Sequence, residues 1–170
     1  MRLFIAIQLS DPMKKALVNM MHELKKQGVE GNYVPAQNLH MTLAFIGEYD
    51  DPARIKEVIS RMPVPEFRMS LSDMGNFGNI LWAGVKGNQK LKAYVKDLRS
   101  ALDAEGIPYD RDKFVPHITL IRKYTAKSSY KVSMPKAEMM VKRASLMKSE
   151  QKNGKPVYKE LYDTRYIRTD

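Results

Sequence analysis

The tetrapeptide His40-Met41-Thr42-Leu43 has a near copy, His117-Ile118-Thr119-Leu120, 77 positions later. The match extends outward. Shifted by 78 positions, Leu3 falls on Leu81, Ile7 on Val85, Met13 on Leu91 and Leu17 on Val95, and then Met20 on Leu98, Leu24 on Leu102 and Gly28 on Gly106. Each copy therefore reads as strand, helix, helix-stopping glycine, and a closing strand that opens with His-x-Thr-Leu. Helical period alone makes apolar positions coincide, but it repeats neither the glycine nor the tetrapeptide. The chain reads as a duplicated β-α-β unit. The expected fold is α+β and bilobal, with two antiparallel sheets facing a central cleft and helices outside, and residues 1–170 forming one domain.

The remaining elements follow from local signals. Residues 2–9 form an apolar strand, and Ser10-Asp11-Pro12 starts a helix whose stripe is Met13, Ala16, Leu17, Met20, Met21 and Leu24. Leu39–Glu48 reads as a strand. Asp51-Pro52 opens a second helix with Ile55, Val58, Ile59 and Met62 on one face, ended by Pro63. Phe67–Asp73 and Ile80–Val85 pair around Gly75–Asn79. Asn88 caps a third helix, with Leu91, Tyr94, Val95, Leu98 and Leu102 inward, and Val115–Lys123 is strand-like. Glu138–Met147 and Val157–Ile167 flank Asn153-Gly154, a strong hairpin signal.

Two of the three histidines open the repeated tetrapeptide. Strand side chains alternate, so His40 and Thr42 share one face while Met41, Leu43 and Phe45 take the other, and His117 and Thr119 are likewise opposed by Ile118 and Leu120. With the apolar faces in the core, two imidazoles and two hydroxyls are left for the cleft. Such a set suits phosphodiester chemistry. A neutral imidazole takes a proton from the attacking oxygen, an imidazolium protonates the leaving oxygen, and hydroxyls donate to the phosphate. Neither motif by itself says which histidine does which. Two imidazoles without a nearby acidic cluster make a poor metal site, so neither metal nor cofactor is expected.

Composition narrows the partners. The chain carries 29 Lys and Arg against 19 Asp and Glu, a net charge of +10, which favours anionic partners such as RNA. The pairs Lys14-Lys15, Lys25-Lys26 and Lys142-Arg143 read as solvated surface. The absence of cysteine excludes a disulfide framework, a thiolate metal site and a cysteine nucleophile, and fits the cytoplasm. No apolar run approaches membrane-spanning length, so no membrane partner is expected. His22 falls on the polar side of the first helix, and Trp82, which aligns with Phe4, reads as core.

The sequence resembles the two-histidine (2H) phosphoesterases, and within them the RNA 2',3'-cyclic phosphodiesterases, also called 2'-5' RNA ligase-like proteins. Tyr33–Gly47 resembles their first motif region and Phe114–Arg122 their second. Arg2–Ile7, Ser149, Gly154 and Tyr158 are similar too, so the likeness covers nearly the whole chain. The resemblance implies metal-independent hydrolysis of an RNA 2',3'-cyclic phosphate end to a 2'-phosphomonoester by a monomer. It makes His40 the proton donor and His117 the proton acceptor, and puts Phe45 near the base and Arg122 near the phosphate, with Thr42 and Thr119 on the substrate. Arg122 is an odd number of positions from His117, so a bulge or the strand's end has to redirect it. Other activities share the motif pair: cleavage of 2'-5' oligonucleotides, RNA ligation, or RNA binding without turnover. The last does not need both imidazoles.

Overall fold

Ser10 decides where the first helix begins. Its hydroxyl accepts from the Met13 amide at 3.3 Å, with Pro12 in the first turn, and the helix α1 runs over Asp11–Lys26 after strand β1 (Arg2–Gln8). Met13, Leu17, Met20, Met21 and Leu24 are buried, and Gly28 at φ +84° turns the chain out of the helix. Asn88 repeats the device for α3 (Gln89–Ala104): its Oδ1 accepts from Lys90 and Leu91 amides, and Gly106 at φ +68° follows. The computed structural model describes residues 1–164.

Within that range lie β2 (Val29–Tyr33), a 3-10 turn (Ala36–Asn38), β3 (His40–Glu48), α2 (Pro52–Ser60), β4 (Phe67–Phe77) and β5 (Ile80–Val85). After α3 come β6 (His117–Ala126), β7 (Glu138–Val141), β8 (Ser145–Lys152) and β9 (Lys155–Asp163). The strands form two sheets, ordered β3-β1-β8-β9 and β2-β6-β5-β4-β7, and every pairing is antiparallel. The duplicated units β1-α1-β3 and β5-α3-β6 are thus present, each closing an antiparallel strand pair. β8 flanks β1 as β4 flanks β5. Leu3, Ile5 and Ile7 join the α1 stripe in a buried cluster that also contains Leu81, Ala83 and the α3 stripe. The alternate residues Phe4 and Ala6 lie on the other face with Met147, Phe45 and Tyr158.

One strand is new and two expectations are corrected. β2 was not legible: Val-Glu-Gly-Asn-Tyr lacks alternation, and only Val29 is fully buried. It forms because β6 offers it an edge, and it carries a segment of the first unit onto the second unit's sheet. β4 continues to Phe77, so the turn shrinks to Gly78-Asn79. The single strand expected over Glu138–Met147 is two strands in different sheets. The chain breaks at 142–144, where the Arg143 guanidinium meets Glu160 at 2.6 Å and Asp163 at 3.1 Å. The Asn153-Gly154 hairpin forms as read, both residues at positive φ. Its second strand ends at Asp163, and the expected continuation over 165–167 lies outside the described residues.

Gly31 seats β2. At φ +146° its backbone runs so close to β6 that a Cβ would stand 2.6 Å from Ile121 Cγ2 and 2.9 Å from the Arg122 carbonyl oxygen. Gly31→Ala is expected to destabilise the protein by about 2 kcal/mol, lowering Tm by roughly 4–8 °C. A variant that melts with the parent would show that β2 is not held in this register.

Candidate active site

The two His-x-Thr-Leu strands, β3 and β6, lie next to β1 and β5, and the same irregularity interrupts both. Along β1 and β3, Ile5 pairs with Ala44 but Ala6 with Thr42, leaving Leu43 extra. Along β5 and β6, Leu81 pairs with Ile121 but Trp82 with Thr119, leaving Leu120 extra. These bulges are 77 positions apart, like the histidines, so the duplication preserved them. Each reverses the alternation beyond it. Leu43 and Ala44 are both buried, as are Leu120 and Ile121, and the next residue, Phe45 or Arg122, turns to the cleft face. The expectation that Phe45 shares the core face with Met41 and Leu43 is therefore wrong. Phe45 stands opposite Phe4 and touches the cluster that holds Tyr158. The redirection expected for Arg122 is present: its positive charge acts on His40 across the cleft.

Both imidazoles are held by the same bond. Nδ1 of His40 is 2.7 Å from the Asn38 carbonyl oxygen, and Nδ1 of His117 is 2.6 Å from that of Val115. A carbonyl only accepts, so each Nδ1 carries a proton and each Nε2 is left for chemistry. Aromatic rings brace both. His40 has Phe4 at 4.9 Å and Tyr158 edge-on at 5.3 Å; His117 has Phe77 edge-on at 5.2 Å and Trp82 at 5.7 Å. Trp82 thus fills beside His117 the place that Phe4 fills beside His40, as its position in the repeat indicates. The expectation of a core role is corrected: Trp82 is half-buried and lies over Gly75, where a Cβ would collide with the indole.

The pseudo-symmetry is incomplete. Nε2 of His40 lies 3.0 Å from Thr42 Oγ1, close enough to accept the hydroxyl proton. Burial pushes the His40 pKa down from 6.5 to about 4; the bond to Asn38 opposes this, while the charges of Arg122 and His117 reinforce it. Thr119 faces the cleft opposite Trp82. A cavity of about 560 Å³ adjoins His117, lined also by Thr42, Phe45, Phe77, Phe114 and Asp110 among others. Both sheets supply its walls. Among the described residues no three His, Cys, Asp or Glu side chains gather where they could hold a metal ion. His22 is exposed on α1, as expected.

Sequence reasoning missed the residues that support this constellation. Asn38, 5% exposed, donates from Nδ2 to the Pro156 carbonyl at 3.0 Å while its own carbonyl holds His40, tying the C-terminal hairpin to the first histidine. Arg99 reaches from α3 to the carbonyls of Leu43 and Asp112, and the Asp110 amide donates to the Phe45 carbonyl at 2.8 Å. The 110–114 loop is thereby fastened to the β3 bulge. The only signal for Asn38 in the sequence was its place two residues before His40, matched by Val115 before His117, and a backbone acceptor leaves no mark on residue type.

Residues 13–153 match the 2'-5' RNA ligase superfamily. The RNA 2',3'-cyclic phosphodiesterase of Thermotoga maritima is 30% identical, over 98% of this chain and 96% of its own. That of Archaeoglobus fulgidus is 30% identical, over 95% and 98%. Among solved structures, Escherichia coli LigT complexed with 3'-AMP superposes with a TM-score of 0.82 at 27% identity, covering 95% of each chain. A duplicated fold with a histidine opening the closing strand of each unit, matched over almost its full length, makes this chain a member of the 2'-5' RNA ligase superfamily, the two-histidine phosphoesterases.

Proposed function

We propose that the protein is a cyclic phosphodiesterase that hydrolyses the 2',3'-cyclic phosphate at an RNA end to a 2'-phosphomonoester. The observation that carries this reading is the pair of imidazoles from symmetry-related strands, each with Nδ1 bound to backbone and Nε2 on the side away from that bond, where that of His40 meets the Thr42 hydroxyl. Water attacks phosphorus in line with the P–O3' bond. His117 takes the water proton, the P–O3' bond breaks, and His40 protonates the departing O3', leaving a free 3'-hydroxyl. Thr42, Thr119 and Arg122 supply donors to the non-bridging oxygens, where charge accumulates. Phe45, on the cavity wall, offers a ring face to the terminal base. The names of the relatives from Thermotoga maritima and Archaeoglobus fulgidus support this substrate, and the net charge of +10 fits RNA.

One observation favours the reverse assignment. A histidine with a pKa of about 4 is neutral at pH 7, which suits an acceptor better than a donor. A bound phosphodiester opposes that shift, because its negative charge beside the imidazole stabilises the protonated form. The role of His40 therefore depends on substrate.

His40→Ala and His117→Ala are each expected to lower turnover of a cyclic-ended oligoribonucleotide by about 10²–10⁴-fold while leaving the fold intact by circular dichroism, an order set by typical acid–base catalysis. Turnover near the parent's in either variant would remove the two-histidine mechanism. A phosphodiester with a 4-nitrophenolate leaving group assigns the roles, since that group departs without protonation. The variant lacking the donor keeps its rate on this ester, and the variant lacking the acceptor loses both substrates. Sparing of His40→Ala supports His40 as the donor; sparing of His117→Ala exchanges the two roles.

Titration of His40 followed by NMR should give a midpoint near 4 in phosphate-free buffer, rising when a 2'-nucleotide is bound. Because the folded value lies below the unfolded one, the unfolded chain binds an extra proton between about pH 4 and 6.5. His40 thus withdraws stability as the pH falls through that window. A midpoint at 6.5 in the free protein would mean that the imidazole is not desolvated.

A further inference from the structure

At the end of β1, on the cleft face that carries Phe4 and Ala6, stands Arg2. It is exposed, and its guanidinium carbon lies 5.0 Å over the centre of the Phe45 ring. Among the described residues it meets no carboxylate. The cross-strand residue Glu48 is turned instead to the amino group of Met1, at 3.2 Å. Register then extends Arg2 into a row across the sheet, with Ser149 of β8 opposite Arg2 and Tyr158 of β9 opposite Ser149. The row touches the reacting centre, because the Tyr158 ring stands edge-on to His40 at 5.3 Å.

The pseudo-symmetry says what this corner holds. Phe45 and Arg122 are equivalent positions, each two residues past the extra leucine of its bulge. The second lobe therefore has a guanidinium where the first has a ring, and Arg2 returns a guanidinium to the first lobe by stacking on that ring. A guanidinium fixed in place without a carboxylate is a preformed phosphate donor, and the hydroxyl and phenol beside it are donors of the same kind.

We propose that Arg2, with Ser149 and Tyr158, binds the phosphodiester on the 5' side of the reacting nucleotide, so that the protein selects an RNA strand end over a free cyclic mononucleotide. The inference rests on the function proposed above. With the cyclic phosphate between His40 and His117 and the terminal base against Phe45, the strand leaves past the outer face of that ring, where Arg2 lies. A mononucleotide has no group to reach this row.

The test compares kcat/KM for a cyclic-ended trinucleotide with that for the cyclic mononucleotide of the same terminal base, in the parent, Arg2→Met and Arg2→Lys. The ratio of trinucleotide to mononucleotide is expected to fall about tenfold in Arg2→Met and to recover partly in Arg2→Lys, a size typical of one lost charge-assisted contact. An unchanged ratio, or an equal fall with both substrates, overturns the proposal. A parallel arm measures binding of the uncleavable 2'-phosphorylated trinucleotide and of the 2'-mononucleotide by fluorescence competition. Loss of trinucleotide affinity alone in Arg2→Met supports the subsite even if the parent turns over neither cyclic substrate, an outcome that would overturn the hydrolytic reading only. Unchanged trinucleotide affinity rejects the subsite.

Discussion

Two inserted residues, Leu43 and Leu120, govern which side chains reach the cleft. Each adds one residue to the strand that begins with a catalytic-type histidine, and each enters the core, where its leucine is fully buried. Were the alternation regular through these leucines, Phe45 and Arg122 would point into the core, and an arginine there would carry a prohibitive desolvation cost. With it, a single strand delivers histidine and threonine by ordinary alternation and then ring or guanidinium by a second, displaced alternation. Regular alternation would keep both leucines in the core but turn the fully buried Ile121 to the cleft face, so the burial of Ile121 holds the displacement in β6.

The helices and their caps were legible because the signals are local. Ser10, Asn88, Gly28 and Gly106 act on their own turns, and the apolar stripes act at fixed period. The histidine faces were legible because each precedes the bulge in its own strand. Phe45 was misassigned because it follows one. β2 escaped for a different reason: its stability comes from pairing with β6, about ninety positions later, and nothing in Val-Glu-Gly-Asn-Tyr announces a distant partner. Trp82 was half legible. The repeat aligned it with Phe4 correctly, but aromatic bulk alone does not say on which face of a sheet it will lie. The sequence likewise could not separate the two histidines, since the motifs are alike and the difference comes from elements packed around them.

That difference matters chemically. A perfectly two-fold cleft would give its imidazoles equal proton affinities and no reason to act in opposite senses. Here the C-terminal hairpin covers one histidine with Tyr158 and fastens its loop through Asn38, while the other looks onto an exposed phenylalanine at a hairpin tip. Burial lowers the proton affinity of His40, and the elements that cover it lie outside the repeat, so a duplicated scaffold need not hold its two imidazoles alike. The asymmetry lies in elements outside the repeated unit, β8 and β9 above all, which left the repeat free to preserve its histidines, threonines and bulges.

The pairing of β1 with β8 sets the order in which the chain can be completed. β1 is made before β8, yet it pairs with β8 at residues 145–149, more than 130 positions later. Until β8 has been made, β1 can pair only with β3, and its other edge stays open. β2 compounds this by waiting for β6. Neither half of the duplication can therefore finish its own sheet, and the ancestral unit survives as a pattern rather than as a foldable fragment. Such long-range closure makes folding slow and keeps an apolar edge exposed meanwhile. A pause in synthesis before residue 145 would therefore prolong the state in which that edge is available to other chains.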